Sequence, residues 1–460
     1  MFNSILNAVR NNTLEPIEQT KEGKKALQLI KEGKNVFIHG KSGTGKSTFI
    51  TSLRNILEKS GKNVVVVSPT AVSALNVRGQ TIHSFFRINP SNIYEDLTFP
   101  VKRDLRTKWQ DIDVIIFDEI SMVRSDLFDR VNMRLQTNLE TSSIFGGKQI
   151  VAVGDLYQLP PVVDTDSDLK QDLIFAEQYK TPYVFGAKCF NELTFQHVIF
   201  TKVFRQKNLT FVKHLSALQD KSDSTFNEAL TFFNQRVSAT RPKDAVCLCA
   251  KRMDAQIINE EELNKIPGEE VQIYAYHSNI NPNDWKEKNC PADHCLKLKI
   301  GAKVMIIKND DSPQKQYING TVGYIESFVI GEQDEITAIE IKTSARVVQL
   351  KRSTWYKMKL NENGKQVEDE KRYFSQFPVQ LAWATTIHKA QGMTFENTYV
   401  DFGNNGAFSV GQTYVALSRV TDIKGLFLKR PITSKDILID KEIDNFFLSI
   451  GYLAGAGFAY

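Results

Sequence analysis

"GKSGTGKS", residues Gly40 to Ser47, decides the fold. It matches the pattern G-x-x-x-x-G-K-[ST] and lies between "NVFIHG", a short apolar run, and "KSTFITSLRNILEKSG", which has helical spacing and a glycine stop at Gly61. Strand, glycine loop and helix in that order are the context the motif needs. Glycines such as Gly43 and Gly45 let the backbone curl so that its N–H groups face an anion. The helix N-terminus adds partial positive charge there. Lys46 is then placed to reach the β- and γ-phosphates of a nucleotide, and the Ser47 hydroxyl to ligate Mg²⁺.

Working outward, "NVVVVSPT", "VIIFDE" and "QIVAVGD" are further strand patterns separated by helical stretches. Such alternation predicts an α/β fold with a parallel sheet covered on both faces. The second half begins again with "AVCLCAK", continues through "TYVDFG" and closes near "GLFLKR", which predicts a second α/β sheet. Between them, about 300–377, short alternating runs ("AKVMIIKND", "GTVGYIESFVI", "AIEIKT", "RVVQLKR") are split by turn signals such as Asn319-Gly320. A small β-barrel or sheet inserted into the second domain is expected there. At 460 residues the chain should hold more than one domain.

A P-loop needs an acidic element for the metal. "DVIIFDEIS" brings Asp118 and Glu119 to the end of a strand, Asp118 to hold Mg²⁺ and Glu119 to polarise the attacking water. In "VAVGDLYQLPPV", Gln158 follows on a turn stiffened by Pro160 and Pro161, suited to sensing the γ-phosphate. Arg205 in "VFRQKN" and Arg419 in "YVALSRV" could add guanidinium charge there, as they could equally form structural ion pairs.

Composition narrows the class less. The content of 42% hydrophobic and 24% charged residues is ordinary for a soluble globular protein. A net charge of +5 neither demands nor excludes nucleic acid, so clustering matters more. "VKRDLRTKW", "LKLKIGAKVMIIK" and "KRSTWYKMK" interleave basic groups with apolar and aromatic ones, which favours a polyanion partner over three solvated faces. Five cysteines, odd and sparse, argue for a reducing compartment. "CPADHC" (Cys290, His294, Cys295) resembles half a zinc site without a second pair. No apolar run approaches the ~18 residues needed to cross a bilayer, and the N-terminus lacks a signal-peptide pattern. A soluble, intracellular protein without a membrane partner is expected.

The set "GKSGTGKS", "SPTAVSALNVRGQTIHSFF", "DEISM", "GDLYQLPPV", "FRQ", "FPVQLAWATTIHKAQGMTF" and "GQTYVALSRV", in that order, resembles the PIF (petite integration frequency) DNA helicases. These are superfamily 1 motors of the 5′-to-3′ class. The match runs from about Asn35 to Leu428, and "MVRSDLFDRVNMRLQTNLETSSIFGG" resembles that family's signature insert. The phage Dda and RecD-like helicases share a looser version of the set. Ala71 and Ala390 depart from it, standing where glycine and serine are common.

The resemblance implies two RecA-like domains with ATP in the cleft between them and single-stranded DNA across both. The expected division is 1–200 for the first motor domain, with a wedge insert about 86–108; 201–299 and 378–460 for the second; and 300–377 for the inserted β domain. At the nucleotide site it implies Gly43, Gly45, Lys46, Ser47, Asp118, Glu119, Gln158, Arg205, Gly392 and Arg419. Gln19 is the candidate adenine reader, although it stands further from the P-loop strand than is usual. On the DNA side it implies Thr70, His83 and Phe85 in the first domain and Thr386, His388 and Lys389 in the second. Thr386 and Lys389 can bond phosphate oxygens, and His83 and Phe85 can stack on a base or sugar. Either histidine is also compatible with closing its own turn.

The expected activity is ATP-dependent 5′-to-3′ translocation on single-stranded DNA with unwinding at single-strand/duplex junctions, extending to G-quadruplexes, in repair, replication or telomere maintenance. A monomer in the cytoplasm of a bacterial or phage-infected cell, near the nucleoid, is expected. The alternatives are a translocase without unwinding, an RNA helicase, or an ATP-gated binding switch.

Overall fold

Strand β1 (Val36–Gly40) is buried at every residue, as a strand covered on both faces must be. In the computed structural model it lies in a six-stranded sheet with β2 (Val64–Ser68), β3 (Gln80–Thr81), β4 (Val114–Phe117), β5 (Gln149–Gly154) and β6 (Gln196–Phe200). The order is β3-β2-β4-β5-β1-β6, and every paired register is parallel. The description covers residues 17–89, 101, 103–161, 169–206, 208–219, 221, 224–279, 285, 290–310, 312, 316–317, 319–332, 334–362 and 365–452. Most of the expected wedge insert, 90–100 and 102, therefore lies outside the described residues.

The P-loop helix (Lys46–Lys59) buries Phe49, Ile50, Leu53 and Leu57, one face at helical spacing. They pack on Val36, Ile38, Val64 and Val66, the side chains that alternate onto that face of the sheet. Phe37, Val65, Val67, Ile115 and Phe117 point to the other face, into a larger core with Phe86, Trp109, Phe128 and Phe145. Burying one such side chain is worth about 1.5–3 kcal/mol, so these two layers fix where each strand end lies.

The second parallel sheet has the order β18-β7-β19-β20, built from β7 (Val246–Cys249), β18 (Ala384–Thr386), β19 (Thr398–Asp401) and β20 (Leu426–Leu428). Between β7 and β18 the chain builds a β-rich region. The antiparallel pair β8 (Val271–Tyr274) and β10 (Cys295–Leu298) comes first, with the short β9 (Tyr276–His277) between them in sequence. A five-stranded sheet follows, β14-β13-β12-β11-β17, with β11 (Lys303–Ile306), β12 (Val322–Ile330), β13 (Ile336–Thr343), β14 (Val347–Lys351) and β17 (Val379–Leu381). β15 (Ser353–Leu360) and β16 (Gln366–Gln376) form a hairpin whose β16 pairs with β9.

The inserted region therefore starts earlier than the expected 300, because Ile273, Leu296 and Leu298 share one core with Val304, Ile339 and Val379. By compactness the described residues fall in two units. One comprises those within Glu15–Phe204, Lys357–Asp369 and Asp440–Tyr460, the other those within Arg205–Tyr356 and Glu370–Ile439. Two expected boundaries change. The hairpin tip belongs with the first unit, where the Gln366 side chain accepts from the Val66 N–H at 3.1 Å and Leu360 enters the core. The C-terminal helix (Lys441–Ser449) also belongs there, through buried Ile443, Phe446 and Phe447. The pattern of "EIDNFF" announces an amphipathic helix but does not say which sheet it covers.

Candidate active site

In the first unit the residues expected at the phosphates follow C-terminal strand ends, where parallel sheets collect ligands. The loop after β1 turns on Gly43 (φ 81°) and Gly45 (φ 82°), a left-handed backbone that glycine adopts without strain. Gly45 caps the P-loop helix with no side-chain hydrogen bond, so no side chain competes there for the first helical N–H groups. The Gly43 carbonyl accepts from the Phe204 N–H at 2.8 Å, and a Cβ on Gly45 would meet Ile17 at 3.4 Å and the Phe204 ring at 3.5 Å. Lys46 Nζ donates to the carbonyls of Gly40 (2.7 Å) and Lys41 (3.1 Å), curled over the loop. Ser47 is exposed at the helix start.

Asp118 and Glu119 follow β4. Burial and the adjoining Glu119 carboxylate push the Asp118 carboxyl up to about 8, against a lowering pull from the Glu119 N–H and Lys46. A divalent cation would offset that cost. The hydroxyl of Ser47 and the carboxylate of Asp118 are hard oxygen donors of the kind Mg²⁺ takes, so the residues present fit the ion. Glu119 has φ 50°, a left-handed conformation that costs a non-glycine residue about 1–3 kcal/mol and that proteins tend to keep at working sites. Its N–H donates to Asp118 Oδ1 at 2.9 Å, which fixes that carboxylate against the turn.

After β5 the turn is closed by the Gln158 N–H donating to the Asp155 carbonyl at 3.0 Å. Asp155 Oδ2 accepts from the Gln158 side-chain amide at 3.0 Å, and Oδ1 from the Tyr157 N–H at 3.2 Å. Gln158 is buried, so its amide is held in place. Burial lowers the Lys41 ammonium to about 8, with Asp155 pulling the other way. Gln19 closes a short 3-10 turn beginning at Ile17, the residue against Gly45, and its side chain is exposed.

In the second unit, Arg205 Nη1 donates to the Ser418 carbonyl at 3.4 Å. The neighbouring Gln206 amide donates to the carbonyls of Ser418 (3.0 Å) and Val420 (2.9 Å). Arg419, 1% exposed, donates to the carbonyl of Val415 (2.8 Å) and the Ser418 hydroxyl (2.8 Å). The two arginines expected at one site thus share the turn after the helix Gln412–Leu417. Gly392 (φ 78°) is exposed in the turn after β18, with open space around its Cα.

On the expected DNA side, Thr70 caps the helix Ala71–Asn76 by accepting from the Ser73 N–H at 3.2 Å. His83 is pushed down to about 4, chiefly by burial and then by Arg124. Phe85 does not fit the expectation of a base platform. It is 4% exposed and sits edge-on to Phe86 at 4.8 Å within the core, because its helix (Ile82–Phe86) turns that ring onto the sheet. Thr386 ends β18, and its hydroxyl accepts from the Lys389 N–H at 3.1 Å. Lys389 is exposed. The His388 ring, lowered by burial, lies 6.3 Å from and nearly parallel to Phe408, which is 57% exposed. Phe408 is an aromatic the sequence reading missed, since it lies thirteen or more residues past the motif in a glycine-rich loop.

The basic runs are partly structural. Lys303 is wholly buried and donates to the carbonyls of Lys243 and Ala245. Arg352 stacks on Tyr276 at 4.4 Å and Phe377 at 5.0 Å. In "CPADHC", His294 Nε2 lies 3.1 Å from Cys290 Sγ and 2.7 Å from the Trp285 carbonyl. Among the described residues no group of three or more His, Cys, Asp or Glu could hold a metal ion, and no helix is long and apolar enough to cross a membrane.

Comparison with known proteins adds the family. Residues 18–227 match the model of the PIF1-like helicase, and 287–328 that of the DNA helicase Pif1 2B domain. The ATP-dependent DNA helicase Pif1 of Campylobacter jejuni is 30% identical over 418 residues, 86% of this chain and 89% of that protein. The crystal structure of Bacteroides sp Pif1 in complex with ADP-AlF4 is 30% identical with a TM-score of 0.80, covering 94% of this chain and 97% of that one. Bacteroides Pif1 bound to ssDNA is 31% identical with a TM-score of 0.65, covering 94% and 96%. The motif set, the P-loop sheet and these matches agree: the chain belongs to the PIF1-like helicases, and is an ATP-dependent enzyme.

Proposed function

We propose that this helicase spends ATP on 5′-to-3′ movement along single-stranded DNA and separates duplex at single-strand/duplex junctions. The observation that carries it is that Lys46, Asp118, Glu119 and Gln158 all follow the C-terminal ends of β1, β4 and β5, neighbours in one sheet, each held by defined hydrogen bonds. In this reading Lys46 leaves the carbonyls of Gly40 and Lys41 for the phosphates. Ser47 and Asp118 would hold Mg²⁺, which would supply neutralising charge at the phosphates. Glu119 takes a proton from the attacking water. Gln158 senses the γ-phosphate, and Arg205 and Arg419 are assigned to the negative charge that grows on it. Thr70, Thr386 and Lys389 hold DNA phosphates and His388 stacks, which grips a strand without reading sequence. The relatives' names, which specify DNA, and the ssDNA-bound Bacteroides structure support the substrate class. Direction and G-quadruplex unwinding rest on the family resemblance, and action as a monomer in a bacterial or phage-infected cell's cytoplasm is part of the proposal.

The test is unwinding of matched duplexes carrying a 5′ or a 3′ single-stranded tail, with an RNA-tailed control. Unwinding confined to the 5′ DNA tail is expected. Equal use of both tails, or preference for the RNA tail, contradicts the reading.

A further inference from the structure

The C-terminal helix touches the back of the nucleotide site. Asp444 and Phe447 are three residues apart and so share one helix face. Tyr157 donates its hydroxyl to Asp444 Oδ1 at 2.8 Å, and its ring stacks on Phe447 at 5.5 Å with only 5° between the planes. Tyr157 lies between Asp155 and Gln158, the two residues that close the sensor turn, directly before Gln158, and its own N–H is tied to Asp155 Oδ1. Phe447 also meets His39 edge-on at 5.1 Å. His39 is the last residue before Gly40, and its Cα partner across the sheet is Gly154, the last residue of β5. One aromatic side chain therefore rests against the end of β1 through His39 and against the turn after β5 through Tyr157.

The helix is firmly seated. Ile443 is fully buried, and Phe446 stacks on Phe185 at 4.5 Å. Its N-cap, Asp440, also takes a hydrogen bond from the buried Tyr183 hydroxyl. A seated helix that fixes a turn by one hydrogen bond and one stack sets where that turn's amide points, and positioning of this kind controls rate more than affinity.

We propose that the C-terminal helix is a positioning element of the ATPase: Asp444 and Phe447 hold Tyr157, and through it the Asp155–Gln158 turn, in register with the P-loop. The inference rests on the reading of Gln158 as the γ-phosphate sensor. Neither Tyr157 nor the helix touches the nucleotide in this account.

The experiment measures kcat and KM for ATP, with saturating single-stranded DNA, in Tyr157→Phe, Asp444→Ala, their double variant, Asp444→Asn and Gln158→Ala, with melting temperatures alongside. Tyr157→Phe and Asp444→Ala should each lower kcat on the order of tenfold with KM for ATP nearly unchanged. The double variant should be no worse than either alone. Asp444→Asn, which keeps an acceptor oxygen, should restore most of the rate. Unchanged kcat in Tyr157→Phe and Asp444→Ala, while Gln158→Ala loses activity, overturns the positioning role and leaves the sensor standing. Losses of kcat that only track a fall in melting temperature, without rescue by Asp444→Asn, overturn it too. A Gln158→Ala enzyme with full kcat removes the sensor reading, and this inference with it.

Discussion

Two parallel sheets in this chain have the same plan and different equipment. In the first, β1 leads into a 14-residue helix through five residues, 41–45, two of them glycines in left-handed backbone. In the second, β7 leads into a helix that is also 14 residues long through only Ala250 and Lys251. The second connection contains no glycine and lacks the length to curl around a phosphate. What that unit carries instead is Arg419, with Arg205 bonded to the carbonyl of the adjoining Ser418, and His388 and Lys389 past its edge strand. The fold supplies a row of strand ends, and the loops decide which of them holds a nucleotide.

The largest expected effect tests the equipped sheet. Glu119→Gln should lower kcat by about 10²–10⁴-fold while nucleotide binding persists, as loss of a general base does. Measured by steady-state hydrolysis and nucleotide titration, a rate within a few-fold of wild type would remove the functional contrast between the sheets.

The tripeptide Thr-Ile-His occurs once in each unit, at Thr81–His83 and Thr386–His388, and sharpens the comparison. Phe85 follows the first and is core, whereas the second faces the exposed Phe408. Phe85→Ala should therefore cost about 3–5 kcal/mol of stability in denaturant unfolding. A neutral effect on stability with a loss of DNA affinity would return it to the DNA side. Combined His388→Ala and Lys389→Ala should weaken single-stranded DNA binding several-fold at low salt and reduce the salt slope by about 1, with little change in melting temperature. Unchanged affinity would take the second segment off the DNA.

The smallest effect concerns pH. His39 Nε2 on β1 and His197 Nδ1 on the neighbouring β6 lie 2.9 Å apart. Burial, with His197 adding repulsion, holds His39 well below its usual range, and burial holds His197 near 4. Folded-state values below the unfolded one mean that the unfolded chain binds more protons between about 4 and 6.5. Stability is then complete above pH 6.5 and falls as pH drops below it, by on the order of 1 kcal/mol at pH 5 once solvent screening is allowed for. Replacing both histidines with Gln should make that part of the pH–stability curve less steep, with the slope from buried His83 and His388 remaining. A curve that stays equally steep assigns it to other groups.

Legibility followed locality. The P-loop, the acidic pair and the sensor turn are each written within eight to twelve consecutive residues, and the apolar runs beside them predicted β1, β2, β4 and β5 in place. β3 has two residues and β6 alternates only weakly, so neither stood out. What stayed hidden depends on distant partners. The "TIHSFF" pattern gives no sign that its first phenylalanine meets Trp109. Tyr157 stands in plain view inside "GDLYQLPPV", yet its partner lies 287 residues further on. The basic runs misled in part because a lysine's charge does not reveal that two carbonyls await it in the interior, as they do for Lys303.

ATP hydrolysis with and without a short single-stranded DNA, at low and at moderate salt, in wild type and in Lys46→Ala, tests the central claim most directly. Strong stimulation by DNA that fades as salt rises, and is abolished in Lys46→Ala, is the predicted result. A rate indifferent to DNA, or normal turnover in Lys46→Ala, would contradict the assignment of the P-loop to a DNA motor.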